Sequence, residues 1–204
     1  GHGALAERAL TPVVPPEVVL QYAWDGPVEK TLAGGDAGRD AETGADYVTV
    51  HTPRGGDPWN HVRALAAGAT LVAKFGRPVV SDEPIGAAPK AVRNRRDDSP
   101  ERFRAAALLT RMTGMHATFH YEGGLRGRIP EGPELGAYNA WKEAWALLPD
   151  DIERGTFRRL DVDTGAAFEA RSADRVWILT LEGAAPPQGA QAVGRWPESA
   201  LWRR

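Results

Sequence analysis

The sequence predicts an α/β protein in which a parallel sheet of about four βα units is followed by a short antiparallel β-module. Two observations support this prediction. Before Pro149, short runs of strand-forming residues alternate with stretches whose apolar residues recur at helical spacing. After Pro149, short strand-like runs follow one another with only turn-rich pieces between them. We therefore predict a βα-repeat domain at residues 1–150 and a β-strand module at residues 151–204.

Composition narrows the classes of partner. The 204 residues are 42% hydrophobic and 25% charged, which is ordinary for a globular protein. A net charge of −2 gives no electrostatic reason to expect nucleic acid or an anionic membrane. No apolar run is long enough for a membrane span, and no intact signal peptide is recognisable. The absence of cysteine excludes disulfides but does not fix the compartment, so a secreted or periplasmic location stays open.

The first part of the chain contains three predicted strands, with a helix between the second and the third. Residues 17–22 form the first predicted strand, and residues 46–55 form the second. Apolar positions over residues 60–75 line one face of a helix, which Gly76 ends. A third strand follows at residues 79–82. This order is the crossover connection expected between parallel strands.

The next part of the chain repeats this alternation of helices and strands. Ser99 and Pro100 are a favourable N-cap and N1 pair for a helix that runs to about Met112. Residues 116–122 are the next predicted strand, and residues 134–147 form a third helix. Short strands then follow, with no helix between them, in "TFRRLDV", "AAFEA" and "RVWILTLE".

Each of the four predicted parallel strands ends in polar or aromatic residues. In parallel α/β folds, ligands bind at the carboxyl ends of the strands. Strand ends are also exposed, and exposed residues are often polar, so solvation alone is the competing interpretation. The residues at these ends are Tyr22, Trp24 and Asp25; His51, Thr52 and Arg54; Asp82 and Glu83; and His120, Tyr121 and Glu122.

Glu83 is the sharpest single candidate for catalysis. Side chains alternate between the two faces of a strand. If Val80 points toward the helices, Asp82 does so too, and Glu83 faces the opposite side at the end of the strand. Pro84 cannot continue a ladder of hydrogen bonds, so the strand is expected to end at Glu83. Asp82 is then a supporting or loop-capping acid.

Three segments resemble a known family. The segment "GRPVVSDEPIG" resembles the seventh strand of retaining glycoside hydrolases with a (β/α)8 barrel, the clan that includes the family 5 cellulases and mannanases. "DYVTVHTPR" is similar to their sixth strand, and "ATFHYEGG" to their eighth. The resemblance covers roughly residues 17–148. It implies a partial (β/α)8 barrel, namely its C-terminal half, and an oligo- or polysaccharide substrate with neither cofactor nor metal.

The resemblance also implies roles for individual residues. It implies Glu83 as the nucleophile, and sugar-contacting or supporting roles for polar and aromatic residues nearby. Trp24 joins them because it lies in a strand-end loop. The substrate-binding candidates are Trp24, His51, Arg54, Trp59, Asp82, His120 and Tyr121.

The second carboxylate of such a mechanism is the main departure from the family pattern. The family places its acid/base at the end of strand four in an Asn-Glu-Pro-like context, and no such segment precedes Tyr22. A barrel also takes about 250 residues. We therefore expect a fragment that is completed by an N-terminal half-barrel segment or by another copy of the chain. Glu122 is a secondary catalytic candidate because adjacent strands lie about 4.8 Å apart. It could equally be a loop acid that pairs with Arg126 or Arg128.

Two other functions stay open. A non-catalytic carbohydrate-binding or assembly module would fit the seven tryptophans, although Trp141 and Trp145, four apart on a helix, are expected to pack. A metal-dependent hydrolase would use the histidines, but no HExxH motif is present. His116 and His120 would lie about 13 Å apart along a strand, too far to bind one ion.

Overall fold

The protein is a mixed α/β structure with two separate sheets, as the predicted parallel sheet and antiparallel module require. Its architecture comes from a computed structural model. The model describes residues 21–24, 47–51, 59, 62–63, 65–75, 78–85, 99–121 and 129–204.

Among the described residues, the first sheet has four strands, and each pair of neighbouring strands runs parallel. Its order along the sheet, β1-β2-β3-β4, is the same as the order along the chain. The four strands are β1 (Gln21–Trp24), β2 (Tyr47–His51), β3 (Val79–Glu83) and β4 (His116–Ala117). A strand is therefore present at the place of each of the four predicted parallel strands. The prediction that Trp24 lies in a loop was wrong, because β1 continues past residue 22 and ends at Trp24.

Three α-helices accompany this sheet in the part of the chain that the structure describes. A 3-10 turn at Leu65–Ala67 leads into α1 (Gly68–Phe75), α2 spans Pro100–Met112, and α3 spans Gly132–Leu147. None of the helices in the described part of the chain combines the length and apolar character that a membrane crossing requires.

The ends of α2 follow the predicted signals with one difference. Pro100 occupies the first turn, where a missing N–H costs nothing. Ser99 stands at the N-cap, but its side chain makes no capping hydrogen bond. Its carbonyl oxygen instead accepts the amide of Arg102 at 3.1 Å. Gly114, with φ of +82°, closes the helix in the left-handed conformation that glycine adopts without strain.

The prediction of a long fourth strand was wrong. β4 pairs with β3 through only two residues, and the predicted strand 116–122 leaves the ladder after the amide of Thr118 donates to the Ser81 carbonyl at 3.3 Å. The ring centroids of Phe119 and Tyr121 lie 5.5 Å and 5.9 Å from that of Phe103 on α2. Packing of these rings on the helix outweighs the strand propensity of the segment.

The second sheet has five antiparallel strands in the order β5-β6-β7-β9-β8. The strands are β5 (Arg158–Leu160), β6 (Ala166–Ser172), β7 (Arg175–Leu181), β8 (Gln191–Arg195) and β9 (Ser199–Arg203). The first three were predicted. The last two were not predicted. β8 contains alanine and glycine, which have low strand propensity, and it is a strand through its pairing with β9, whereas β9 pairs with β7 as well.

One hydrophobic cluster joins the two sheets through α2. This helix contacts β4 of the first sheet as well as β6 and β7 of the second. Val79 from the first sheet, Phe103 from α2, and Phe168 and Leu179 from the second sheet all belong to the cluster, and each is at most 2% exposed. The division into domains 1–150 and 151–204 stays a prediction.

Candidate functional site

The carboxyl edge of the parallel sheet carries the residues on which the functional prediction depends. Trp24 is the last residue of β1, His51 of β2 and Glu83 of β3. The expected end of β3 at Glu83, directly before Pro84, is therefore confirmed. Because the strands are parallel and adjacent, these three positions lie along one edge of the sheet.

The register between β2 and β3 places Glu83 beside His51. Val50 pairs with Ser81, but the next residue of β2, His51, pairs with Glu83. Asp82 is thus an additional residue of β3 at this irregularity. Neighbouring strands lie about 4.8 Å apart, so the backbones of His51 and Glu83 are adjacent at the end of the sheet.

The orientation expected for Glu83 depends on the condition that Val80 faces the helices, and the burial along β3 does not support this condition. Val79 is fully buried in the cluster that includes the helices, and Ser81 is fully buried as well, whereas Val80 is half-buried. Val79 and Ser81 therefore share the helix-facing side of β3. The irregularity after Ser81 interrupts the regular alternation, so alternation alone does not assign Glu83 to a face.

Ser81 is a residue that sequence reasoning overlooked. Its side chain is fully buried, and its hydroxyl has no hydrogen-bond partner among the described residues. An unpaired buried hydroxyl costs about 1–3 kcal/mol, so it calls for an explanation. The signal was available in the sequence as a polar residue inside a buried strand, two positions before Glu83.

His120 and Tyr121 lie beyond the end of β4 and not within a strand. Tyr121 is 3% exposed, and its ring lies against those of Phe103 and Phe119. A sugar could stack on this ring only if the cluster repacked. His120 is half-buried on the same segment. Their roles as sugar contacts stay predictions.

The remaining predicted residues fall into three groups. Trp59 is half-buried and packs against the main core cluster. Trp24, His51, Asp82 and Glu83 are described by their backbone alone. Arg54 and Glu122 lie outside the described residues, and Glu122 therefore stays a secondary catalytic candidate.

The described tryptophans are engaged in packing. Trp141 and Trp145 stack on each other with ring centroids 5.7 Å apart, which confirms the expectation for this pair. Trp177 is buried in β7, and Trp202 is buried in β9. The exposed large hydrophobic residues in the described ranges are Ile129 and Leu135, and neither is aromatic.

No protein-family model, curated protein or solved structure matches this chain.

Metal-binding side chains do not cluster in the part of the chain that the structure describes. No group of three or more histidine or acidic residues comes close enough there to hold an ion. His116 is exposed at the amino end of β4, which is the edge of the sheet opposite to Glu83. The described residues therefore give the metal-dependent alternative no support.

Proposed function

We propose that this chain is the nucleophile-bearing part of a retaining glycoside hydrolase with a (β/α)8 barrel, and that Glu83 is the nucleophile. The observation that carries the proposal is the position of Glu83 as the last residue of β3, beside the last residue of β2, at the carboxyl edge of a parallel sheet. Active sites of (β/α)8 barrels are built at this edge.

The strand order supports the barrel part of the proposal. Doubly wound sheets reverse their strand order at a switch point, where they bind ligands. A (β/α)8 barrel keeps its strands in chain order all the way round. The order β1-β2-β3-β4 follows the second pattern, with helical segments between β2 and β3 and between β3 and β4. In the proposal these are the fifth to eighth strands of the barrel.

The proposed chemistry is a double displacement. The carboxylate of Glu83 attacks the anomeric carbon of a glycoside, and the bond to the leaving-group oxygen breaks as a general acid gives that oxygen its proton. Water, deprotonated by the same acid/base group, then displaces Glu83 from the glycosyl–enzyme, and the anomeric configuration is retained. The substrate class is an oligo- or polysaccharide, and no redox partner is needed.

The acid/base group of the proposal lies about 5–5.5 Å from the nucleophile, as retaining hydrolysis requires. We assign it to the other half of the barrel, which a further polypeptide segment or another copy of the chain supplies. Glu122 is the alternative within this sequence. His51 is proposed to orient Glu83 or the sugar, because its backbone lies at the adjacent register position.

The aromatic rings that the carbohydrate-binding alternative requires are at best half-buried among the described residues. Binding modules without catalysis need aromatic rings that sugars can reach, and the exposed large hydrophobic residues among those described are aliphatic. Trp59, Trp145 and Trp196 are half-buried, and Trp24 is described only by its backbone, so this alternative stays open beside the hydrolase proposal.

Chemical rescue tests the role of Glu83 in the full-length protein. The Glu83→Ala variant is expected to lose at least about 99.9% of its activity on aryl glycosides, in the range of the 10⁴-fold losses seen for essential catalytic groups. Azide should restore turnover and give a glycosyl azide of inverted configuration, because the small anion attacks from the side of the missing carboxylate. Glu198→Ala, an exposed glutamate, is the matched control and should retain activity. Full activity of Glu83→Ala, or rescue without a glycosyl azide, would exclude Glu83 as the nucleophile.

A further inference from the structure

The outer face of the second sheet is more apolar than is usual for the solvent-facing side of an antiparallel sheet. An antiparallel sheet that covers a core with one face usually presents polar residues on the other. Here the residues of β6 from Ala166 to Ala170 are all buried, so both faces of the strand are covered. On the outer face, Ile178 and Trp202 form a second hydrophobic cluster that is separate from the main core.

A cavity of about 550 Å³ opens onto this outer face. Ala167 and Ile178 form its floor, and Pro186 and Pro187 are among the residues that form its walls. This volume lies within the range of about 300–1,000 Å³ that small-molecule sites occupy, and an apolar lining with a few polar groups is typical of such sites. The cavity lies in the module that follows α3, apart from the Glu83 edge of the first sheet.

The charged residues among the described lining of this cavity are both acidic. Asp161 and Asp163 lie in the loop after β5, are exposed, and form no ion pair or hydrogen bond with the described residues. Among the described residues that line the cavity, none is a lysine, arginine or histidine. The described part of the lining therefore carries a formal charge of −2, which disfavours anionic ligands and favours cationic ones.

A smaller cavity of about 250 Å³ adjoins the first, since Thr180 and Pro186 line both. Ser199 lines the smaller cavity, is 5% exposed, and has a hydroxyl without a hydrogen-bond partner in the described ranges. Arg195 lines it too, but its guanidinium is stacked 4.8 Å from the ring centroid of Trp202. The described linings of the two cavities together include apolar side chains, the carboxylates of Asp161 and Asp163, and the unpaired hydroxyl of Ser199.

We propose that this outer-face cavity binds a small organic cation, with an apolar body over Ala167 and Ile178 and an ammonium or guanidinium group beside Asp161 and Asp163. A cation is chosen over an alcohol because the two carboxylates have no partner among the described residues, and over an anion because none of the described residues that line the larger cavity is basic. A small molecule is chosen because loops of this chain bound the cavity on its sides. The proposal is independent of the chemistry at Glu83.

Matched probes of one shape and three charges test the proposal. We would titrate the full protein with 3-phenylpropylammonium, 3-phenylpropanol and 3-phenylpropanoate, and follow the Ile178 amide and the Trp202 indole by NMR. The indole N–H of Trp202 donates to Thr180 at 2.9 Å, so it reports directly on a residue that lines both cavities. The cation is expected to bind about three- to tenfold more tightly than the alcohol, since each exposed ion pair adds only a modest gain, and the anion should bind most weakly.

Two double variants separate the local effect from a change in net charge. Asp161→Asn/Asp163→Asn should abolish the preference for the cation while leaving affinity for the alcohol within about twofold. Asp151→Asn/Asp174→Asn removes two exposed aspartates outside the cavity lining and should keep the preference. High salt should shrink the preference in the wild-type protein, because exposed charges are screened. The proposal would be overturned if the three probes bound equally, or if the anion bound most tightly. It would also be overturned if the preference for the cation survived in the first variant, or if neither reporter shifted.

Discussion

Leu179→Ala is expected to destabilise the whole chain and not only the β-module. Leu179 is fully buried in β7, and it belongs to the hydrophobic cluster that also contains Val79 of the parallel sheet and Phe103 of α2. Because α2 contacts both β4 and β7, loss of packing at Leu179 loosens a core that both sheets use. The two parts should therefore unfold together.

The size of the effect follows from the burial. Replacing a fully buried leucine by alanine costs about 2–5 kcal/mol, so we expect roughly 3 kcal/mol at this site. For a chain of 204 residues, each kcal/mol lowers Tm by about 2–4 °C, which gives a decrease of about 6–12 °C. The matched control is Leu135→Ala, the same change at a residue that is 42% exposed on α3, and its effect should stay within about 0.5 kcal/mol.

Differential scanning calorimetry is the direct assay. We expect one transition in the wild-type protein and one transition at lower temperature in Leu179→Ala. Two transitions, of which only one moves, would refute the shared core and would instead favour independent domains at residues 1–150 and 151–204. An equal decrease in Leu135→Ala would show that burial does not set the cost.

Two further predictions concern the second sheet, and both are measured by chemical denaturation. Gly165→Ala should cost about 3 kcal/mol, because φ is +67° and an added Cβ would collide with backbone oxygens, whereas Gly183→Ala, with φ of +78° but open space, should cost about 1 kcal/mol. Equal costs would argue against the close approach at Gly165. The Glu169 carboxylate is 2% exposed and binds Arg158 at 2.7 Å and Arg204 at 3.2 Å, so the double change Arg158→Met/Arg204→Met should cost roughly 3 kcal/mol by leaving a buried charge unpaired. Glu169→Gln should cost about 1 kcal/mol, since the freed arginines are solvated, and the reverse order would contradict this account.

The main elements of the fold could be predicted because their signals are local. Pro100 and Gly114 mark the ends of α2, and the apolar strand cores between turn signals mark β2, β3 and β7. β4 and β9 could not be predicted correctly, because their pairing depends on partners distant in sequence, and β8 could not be predicted because it is a strand through its pairing with β9. Packing of Phe119 on α2 ends β4 early, and pairing with β7 creates β9.

The candidate site was predictable in position but not in detail. The strand end at Glu83 follows from Pro84, which cannot donate to a ladder. The irregularity that makes Asp82 an additional residue and brings Glu83 level with His51 depends on pairing between strands, and no local pattern reports it. For the same reason, the alternation of faces could not be extended through Asp82 to Glu83.

Covalent trapping tests the central claim most directly. The full-length protein would be incubated with activated 2-deoxy-2-fluoroglycosides, which form the glycosyl–enzyme quickly and release it slowly, and the labelled peptide would be identified by mass spectrometry. We expect one added fluoroglycosyl group on Glu83, and none in Glu83→Gln. A label on another residue, or turnover of glycosides with no label on Glu83, would contradict the assignment.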